Sequence, residues 1–228
     1  MDAMTQLSTA ATADAMVRLG IPATTAPFGL RSLAPHFVAE GPAVPITHLG
    51  SVDVLLEAIG EAPVGSVLVI DNGGRRDESC VGDLLTLEAQ RAGLAGIVIW
   101  GLHRDTTELL DIGLPVFSLG SHPRGPIRVP PGGPAMYAAV VDGIVVRPGD
   151  GVVADADGVV FVPRDSMEAV GQTARAIMAT EKAQSGEMRG GVSLRDQIGF
   201  EDYLAERASN PTYSLRDHLK ARGGAVET

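Results

Sequence analysis

The sequence predicts an α/β fold with a partly parallel βαβ core, a further β layer and a helical C-terminal arm. Branched apolar runs at 66–70, 96–100 and 115–119 alternate at short intervals with segments of helical spacing. Strand–helix–strand repeats of this kind build right-handed βαβ units with locally parallel strands. Beyond a Pro/Gly-rich stretch at 123–134 the apolar segments shorten and are divided by Gly and Asp turns, as in an antiparallel or barrel-like layer. The C-terminal residues are richer in charge and carry helical spacing.

Each element has a local reason. Residues 8–19 form a helix that Ser8 or Thr9 can cap, with Ala13, Met16 and Val17 as its apolar stripe and Gly20 as its stop. A proline-rich segment follows, to which no element is assigned, and then a short helix at 52–59. The buried strand 66–70 ends at Asp71-Asn72-Gly73-Gly74. Residues 82–92 have helical spacing, with Leu84, Leu85, Leu87 and Ala89 apolar and Gly93 as stop. Strand 96–100, helix 106–111 and strand 115–119 complete the alternation. Short strands are expected at 137–141, 144–146, 152–154 and 159–162. Ser166 then caps a helix running to about residue 184, and two short helices follow at 201–207 and 213–221. The expected division is an α/β domain over 1–185 and a helical extension over 186–228, an arm that packs on another subunit or on the core. No internal repeat or low-complexity segment is present.

Composition restricts the function classes. The chain has 228 residues, 45% of them hydrophobic and 20% charged, as in an ordinary globular protein. Acidic residues outnumber basic ones 28 to 18, for a formal charge of −10, which argues against nucleic acid as the main partner. The same balance leaves room for divalent cations or a basic protein. One cysteine, Cys80, excludes an internal disulfide and suits a reducing compartment. The first residues, Met1 to Thr5, show no basic segment followed by an apolar run, and no stretch approaches the roughly 20 apolar residues of a membrane-spanning helix. A cytoplasmic location away from membranes is expected.

The chemistry concentrates in two segments. Gly82 opens a helix after a glycine-rich loop, so the amides from Gly82 to Leu85 leave a helix N-terminus without intrahelical partners, a cradle for a carboxylate or phosphate. Arg104 and Asp105 lie just past the end of the neighbouring strand, and carboxyl ends of parallel strands are where open α/β sheets bind ligands. Arginine offers a planar fork matched to a carboxylate. An aspartate beside it can hold Mg²⁺ or Mn²⁺ with waters in the remaining positions. The bland alternative is equally open at this point: a surface Arg–Asp pair at a helix start, with Asp105 as a simple N-cap.

Gly82-Asp83-Leu84-Leu85, then Ala95-Gly96-Ile97-Val98-Ile99, then Arg104-Asp105 resembles the family of the regulator of ribonuclease E activity A, which also contains the class II 4-hydroxy-4-methyl-2-oxoglutarate aldolases. Gly82 and Arg104 stand 22 positions apart, the spacing of that family's Gly-x-x-x turn and Arg-Asp pair. Pro148-Gly149-Asp150 and the run from Ala154 to Val160 agree, and the likeness spans roughly residues 5 to 185. The resemblance implies a layered β/β/α fold. For the aldolase members it implies a metal-dependent lyase that cleaves a 4-hydroxy-2-oxo acid to pyruvate or decarboxylates oxaloacetate through a metal-stabilised pyruvate enolate. Carried over by position, Arg104 binds the substrate carboxylate and Asp105 holds the metal. Gly82, Asp83, Leu84 and Leu85 supply the amide cradle, and Asp83 orients a metal-bound water. It also implies a homotrimer or a hexamer with the site at a subunit boundary, where Glu181 or Glu187 from a neighbouring subunit supports the metal. The alternative within the family is a non-catalytic regulator that binds a ribonuclease or another protein, and another 2-oxo acid is a further option. His103 departs from the family pattern, whose residue there is usually small or apolar, and the C-terminal tail departs from the aldolase ending.

Other residues take blander readings. His36, His48, His103, His122 and His218 lack paired metal spacing, so zinc is not expected; His122 supports the turn before Pro123. Cys80 sits near a helix start, where a thiol pKa can fall, but no histidine partner is evident. Arg75 and Arg76 either reach a distal substrate carboxylate or belong to a solvated loop. Asp155 and Asp157 are turn formers. Asn72-Gly73-Gly74 matches no nucleotide-binding pattern.

Overall fold

A computed structural model describes residues 6–126 and 137–222, so most of the 123–134 stretch and the N-terminal Met1 to Thr5 lie outside the described residues. The chain divides into two compact units, Met1–Gly171 and Gln172–Thr228. The first contains α1 (Thr9–Arg18), β1 (Thr24–Thr25), β2 (Arg31–Ser32), β3 (Ala39–Thr47), α2 (Asp53–Glu61), β4 (Val67–Asp71), β5 (Ser79–Val81) and α3 (Asp83–Arg91). It continues with β6 (Gly96–Trp100), β7 (Leu102–His103), α4 (Thr106–Ile112), β8 (Val116–Ser118), β9 (Ala139–Val141), β10 (Ile144–Val146), β11 (Gly151–Asp155) and β12 (Gly158–Val162). The long helix α5 (Met167–Arg189) begins in the first unit and ends in the second, five residues beyond the expected stop at 184.

Eight strands form one mixed sheet in the order β1-β12-β11-β3-β4-β6-β8-β2. β3, β4, β6 and β8 run parallel, as the strand–helix alternation requires. The β1, β12, β11 and β3 side is antiparallel. Period-two alternation along β4 and β6 splits the interior in two. Leu68, Ile70, Ile97 and Ile99 pack with Leu55, Ile59, Leu85, Ala89 and Leu109 of the helices. Val67, Val69 and Val98 pack instead with Val152, Val159 and Phe161 of the antiparallel side of the same curled sheet and with Val141 and Val146 of the separate β9–β10 pair. This is the layered β/β/α arrangement.

β3 is the strand the sequence hides, because Pro42 and Pro45 interrupt it. A proline cannot donate to a ladder, so it is excluded from a strand paired along both edges. β3 avoids the conflict by changing partners midway. Residues 39–42 pair with β11, and residues 43–47 pair with β4. The Ala43 amide donates to Asp150 O at 2.7 Å, so odd-numbered residues face β11 and even-numbered ones face β4. Pro42 therefore faces β4 one residue before that pairing begins, and Pro45 faces β11 after that pairing has ended. Each missing donor falls where no acceptor is waiting.

Helix α1 is capped by Ser8, whose hydroxyl accepts from the Ala11 amide at 3.2 Å. Asp155 accepts the Asp157 amide at 2.9 Å within its turn, and both its oxygens also take the Thr9 amide and hydroxyl. The second unit holds the rest of α5 with α6 (Leu194–Ile198), α7 (Phe200–Ser209) and α8 (Leu215–Ala221). α6 is an addition to the two expected helices, capped by Ser193. Tyr203 centres this unit's small core, 5.6 Å from Phe200, 6.3 Å from Tyr213 and 5.7 Å from His218 between ring centroids. His218 Nε2 hydrogen-bonds Ile198 O at 2.8 Å. Among the described residues, no helix is long and apolar enough to cross a membrane.

Candidate functional site

Two short strands that the sequence analysis did not assign bring the candidate segments together. β5 and β7 pair in parallel, Ser79 with Leu102 and Val81 with His103. Gly82 follows β5 and Arg104 follows β7, so both segments leave the same end of this ribbon. The Arg104 amide donates to Val81 O at 2.9 Å and fixes that register.

The side chains then meet at one point. Arg104 Nε lies 3.3 Å from Asp105 Oδ2, and the two side chains are 46% and 34% exposed, open enough for a ligand to reach. The same Oδ2 accepts the Asp83 amide at 3.3 Å. Gly82 has an extended backbone (φ −137°, ψ −167°), so any residue could adopt its conformation. Its small size is needed for space: a Cβ there would overlap Asp105 Oδ2 and stand 3.0 Å from Arg104 Nε. A Cβ on Gly125 would likewise stand 2.7 Å from the Arg104 guanidinium. Arg104 thus lies against two glycines, and Asp105 against one of them.

The geometry corrects three expectations. The amides at the start of α3 are not all free, since Asp83 N–H donates to Asp105 and Leu84 N–H to Asp83 Oδ1 at 2.7 Å. A ligand carboxylate entering here would replace a carboxylate already in place. Asp105 stands at the N-cap of α4, yet its side chain makes no capping hydrogen bond and its backbone is left-handed, φ 58° and ψ 43°. That conformation is uncommon outside glycine, and aspartate is among the residues that tolerate it. The side chain turns towards Gly82 rather than to its own helix. Finally, of the α3 stripe only Leu85 and Ala89 are buried; Leu84 is 76% exposed beside the site and Leu87 is 40% exposed.

Nearby residues divide. Cys80 is buried, pointing its Sγ at Leu102 O, 3.9 Å away, which makes it a packing residue. Arg75 is held by Asp77 and by Glu78, the latter at 3.1 Å, whereas Arg76 is exposed. Glu78 is a buried carboxylate that the sequence analysis did not single out; its signal was an arginine three positions before it. His103 is buried, with Nδ1 2.7 Å from Ser118 Oγ and Nε2 3.0 Å from Thr106 Oγ1. Burial pushes its pKa below the usual 6.5, against the opposing pull of the Asp105 charge. His122 Nδ1 accepts the Arg124 amide across Pro123, the turn-supporting role expected of it. Glu181 and Glu187 are exposed on α5. A separate cavity of 640 Å³, lined by Pro42, Ser66, Tyr137 and Arg164 among others, opens at the amino end of β4 and includes none of the Gly82–Arg104–Asp105 group.

A β/β/α layering with a helix-start turn facing an Arg–Asp pair defines the class. The chain belongs to the RraA-like (Aldolase/RraA) family, whose model matches residues 9–161. It is 41% identical over 107 residues to a Laribacter hongkongensis protein named "Putative 4-hydroxy-4-methyl-2-oxoglutarate aldolase", a match covering 47% of this chain and 67% of that one. It is 33% identical over 155 residues to Protein DlpA of Legionella pneumophila; that match covers 65% of this chain and only 24% of DlpA. Among solved structures it resembles Streptomyces coelicolor RraAS2, described as an unusual member of the RNase ES inhibitor RraA protein family, with a TM-score of 0.69 and 27% identity, covering 80% of this chain and 93% of that one.

Proposed function

We propose that this chain is a divalent-metal-dependent lyase acting on small 2-oxo acids, cleaving a 4-hydroxy-2-oxo acid or decarboxylating oxaloacetate to pyruvate. The observation that carries this reading is the approach of the Gly82 turn, Arg104 and Asp105 to a single point. The names of the aldolase relatives support it.

Arg104 receives the substrate carboxylate on its planar fork, and the Asp83 amide adds a donor at the helix start once a ligand carboxylate displaces Asp105 from it. Asp105 is the protein ligand for the metal. Among the described residues no three His, Cys, Asp or Glu side chains form a closed cage. One carboxylate completed by waters and substrate oxygens is a donor set that Mg²⁺ or Mn²⁺ accepts, and the missing Cβ at Gly82 leaves room for that carboxylate. When bound, the ion supplies Lewis-acid polarisation of the keto oxygen.

In cleavage, the C4 hydroxyl gives up its proton to a water that Asp83 orients, and the C3–C4 bond breaks with departure of a carbonyl compound. The bond's electron pair remains on C3, conjugated with the 2-oxo group, and the Arg104 charge on the adjacent carboxylate favours that build-up of negative charge. C3 then regains a proton and pyruvate leaves. With oxaloacetate the same bond breaks and carbon dioxide departs. We infer a homo-oligomer, a trimer or hexamer, in which the exposed Glu181 or Glu187 faces the site of a neighbouring subunit.

The test is pyruvate release from oxaloacetate and from 4-hydroxy-4-methyl-2-oxoglutarate, with and without Mg²⁺ or Mn²⁺, for wild type, Arg104→Ala and Asp105→Ala. Wild-type turnover that needs the metal and is lost in both variants is expected. Rates equal in all three proteins sink the lyase reading. Capture of a ribonuclease without turnover would instead favour the regulatory role that the Streptomyces relative's description carries.

A further inference from the structure

His103 has no part in the chemistry above, yet the chain invests a buried imidazole beside the Arg–Asp pair. Its ring bridges three segments. Nδ1 meets Ser118 Oγ on β8, and Nε2 meets Thr106 Oγ1 at the first residue of α4. Its main chain is fixed as well: the amide donates to Gly120 O at 3.0 Å, and its carbonyl accepts the His122 amide at 2.8 Å. Ser118 Oγ is itself held, accepting the Gly120 amide at 3.2 Å.

The residues enclosed between His103 and Thr106 are Arg104 and Asp105. The imidazole–hydroxyl hydrogen bond therefore closes a short loop whose two central side chains are the candidate site. Asp105 needs such closure, because its left-handed backbone is held by surrounding contacts and not by a side-chain cap of its own. Either neutral tautomer satisfies the ring. With the proton on Nδ1, the ring donates to Ser118 and accepts from Thr106; with the proton on Nε2 the directions reverse.

We propose that His103 is a positioning residue: anchored on Ser118, its ring staples Thr106 so that the Arg104 and Asp105 side chains project together towards the Gly82 turn. Its effect on turnover rests on the lyase reading, whereas the staple itself does not.

Thr106→Val removes only the hydroxyl at nearly constant shape, and Thr106→Ser restores it. Exchange of the Arg104 amide, bonded to Val81 O, reads the loop without any ligand. Loss of one hydrogen bond is expected to quicken that exchange about tenfold in Thr106→Val, with near wild-type exchange in Thr106→Ser. In the metal-loaded protein, kcat for oxaloacetate should fall about tenfold with KM changed less than about twofold, and serine should rescue it. His103→Gln, which keeps a polar group near the Nε2 position, should lie between. Unchanged Arg104 exchange in both Thr106→Val and His103→Gln overturns the staple. Quickened exchange with unchanged kcat overturns the positioning role. Quickened exchange in a protein whose wild type releases no pyruvate overturns the lyase and leaves the staple standing.

Discussion

Gly82→Ala tests the site most directly, because it adds one methyl group at the point of convergence and strains no backbone. The extended φ of −137° suits alanine, so the substitution acts through space alone. The new Cβ would occupy ground held by Asp105 Oδ2 and would press on Arg104 Nε and Cγ, at 3.0 and 3.2 Å. Both neighbours are partly exposed side chains and can swing outward, so the fold should absorb the change within about 1 kcal/mol, the scale of a Gly-to-Ala exchange. Ordinary contact requires the Asp105 carboxylate to retreat by on the order of 1 Å, a misplacement that costs about a hundredfold in rate where geometry is critical. Steady-state pyruvate release, thermal unfolding and Mn²⁺ titration by electron paramagnetic resonance should be run together. The expected pattern is a loss of kcat/KM on the order of a hundredfold, weakened Mn²⁺ binding and a nearly unchanged unfolding midpoint. Full activity and wild-type Mn²⁺ affinity in a folded Gly82→Ala protein would refute the reasoning that these groups share one site.

Arg104→Lys keeps the charge but loses the planar fork, so KM for oxaloacetate should rise about tenfold, and lysine should rescue little of what alanine loses. Asp105→Asn should abolish the response of the rate to Mg²⁺; a wild-type metal dependence would remove Asp105 as the ligand. Because burial holds His103 below its ordinary pKa, the unfolded chain takes up that proton first as pH falls. The stability it confers is complete above about pH 6.5 and is lost as pH falls from there through the native value. Urea midpoints for wild type and His103→Gln should therefore diverge most above that range and converge at lower pH; parallel curves would contradict the assignment. Tyr137 donates to Glu61 at 2.6 Å, a bond that, with the nearby negative charge, raises its pKa to about 12. Phenolate absorbance should show one tyrosine titrating late, and Glu61→Gln should bring it back towards 10.

The parallel core was legible because β4 and β6 are short runs of branched apolar residues bounded by turns, buried on both faces. β3 was not, since Pro42 and Pro45 forbid an ordinary strand and only the change of partner at Ala43 accommodates them. At the candidate site, the nearness of Gly82 to Arg104 could be inferred from strand ends lying on one sheet edge. The β5–β7 ribbon that produces it could not, because three- and two-residue strands carry no periodic signal. The state of the helix-start amides was also hidden. Which way Asp105 turns depends on a single left-handed residue, and a reading of it as a plain N-cap fits the same letters.

The change of partner along β3 also orders events in time. Its second half, residues 43–47, meets β4 only 24 positions later in the chain. Its first half waits for β11, which lies more than 100 positions downstream. Closing the longer loop carries the larger entropic cost and is slower. A nascent chain emerging from the ribosome can thus assemble the β3–β4–β6 portion, with its Arg–Asp segment, while the other half of the same strand still has an open edge. Until β11 is made, that edge stays open to mispairing.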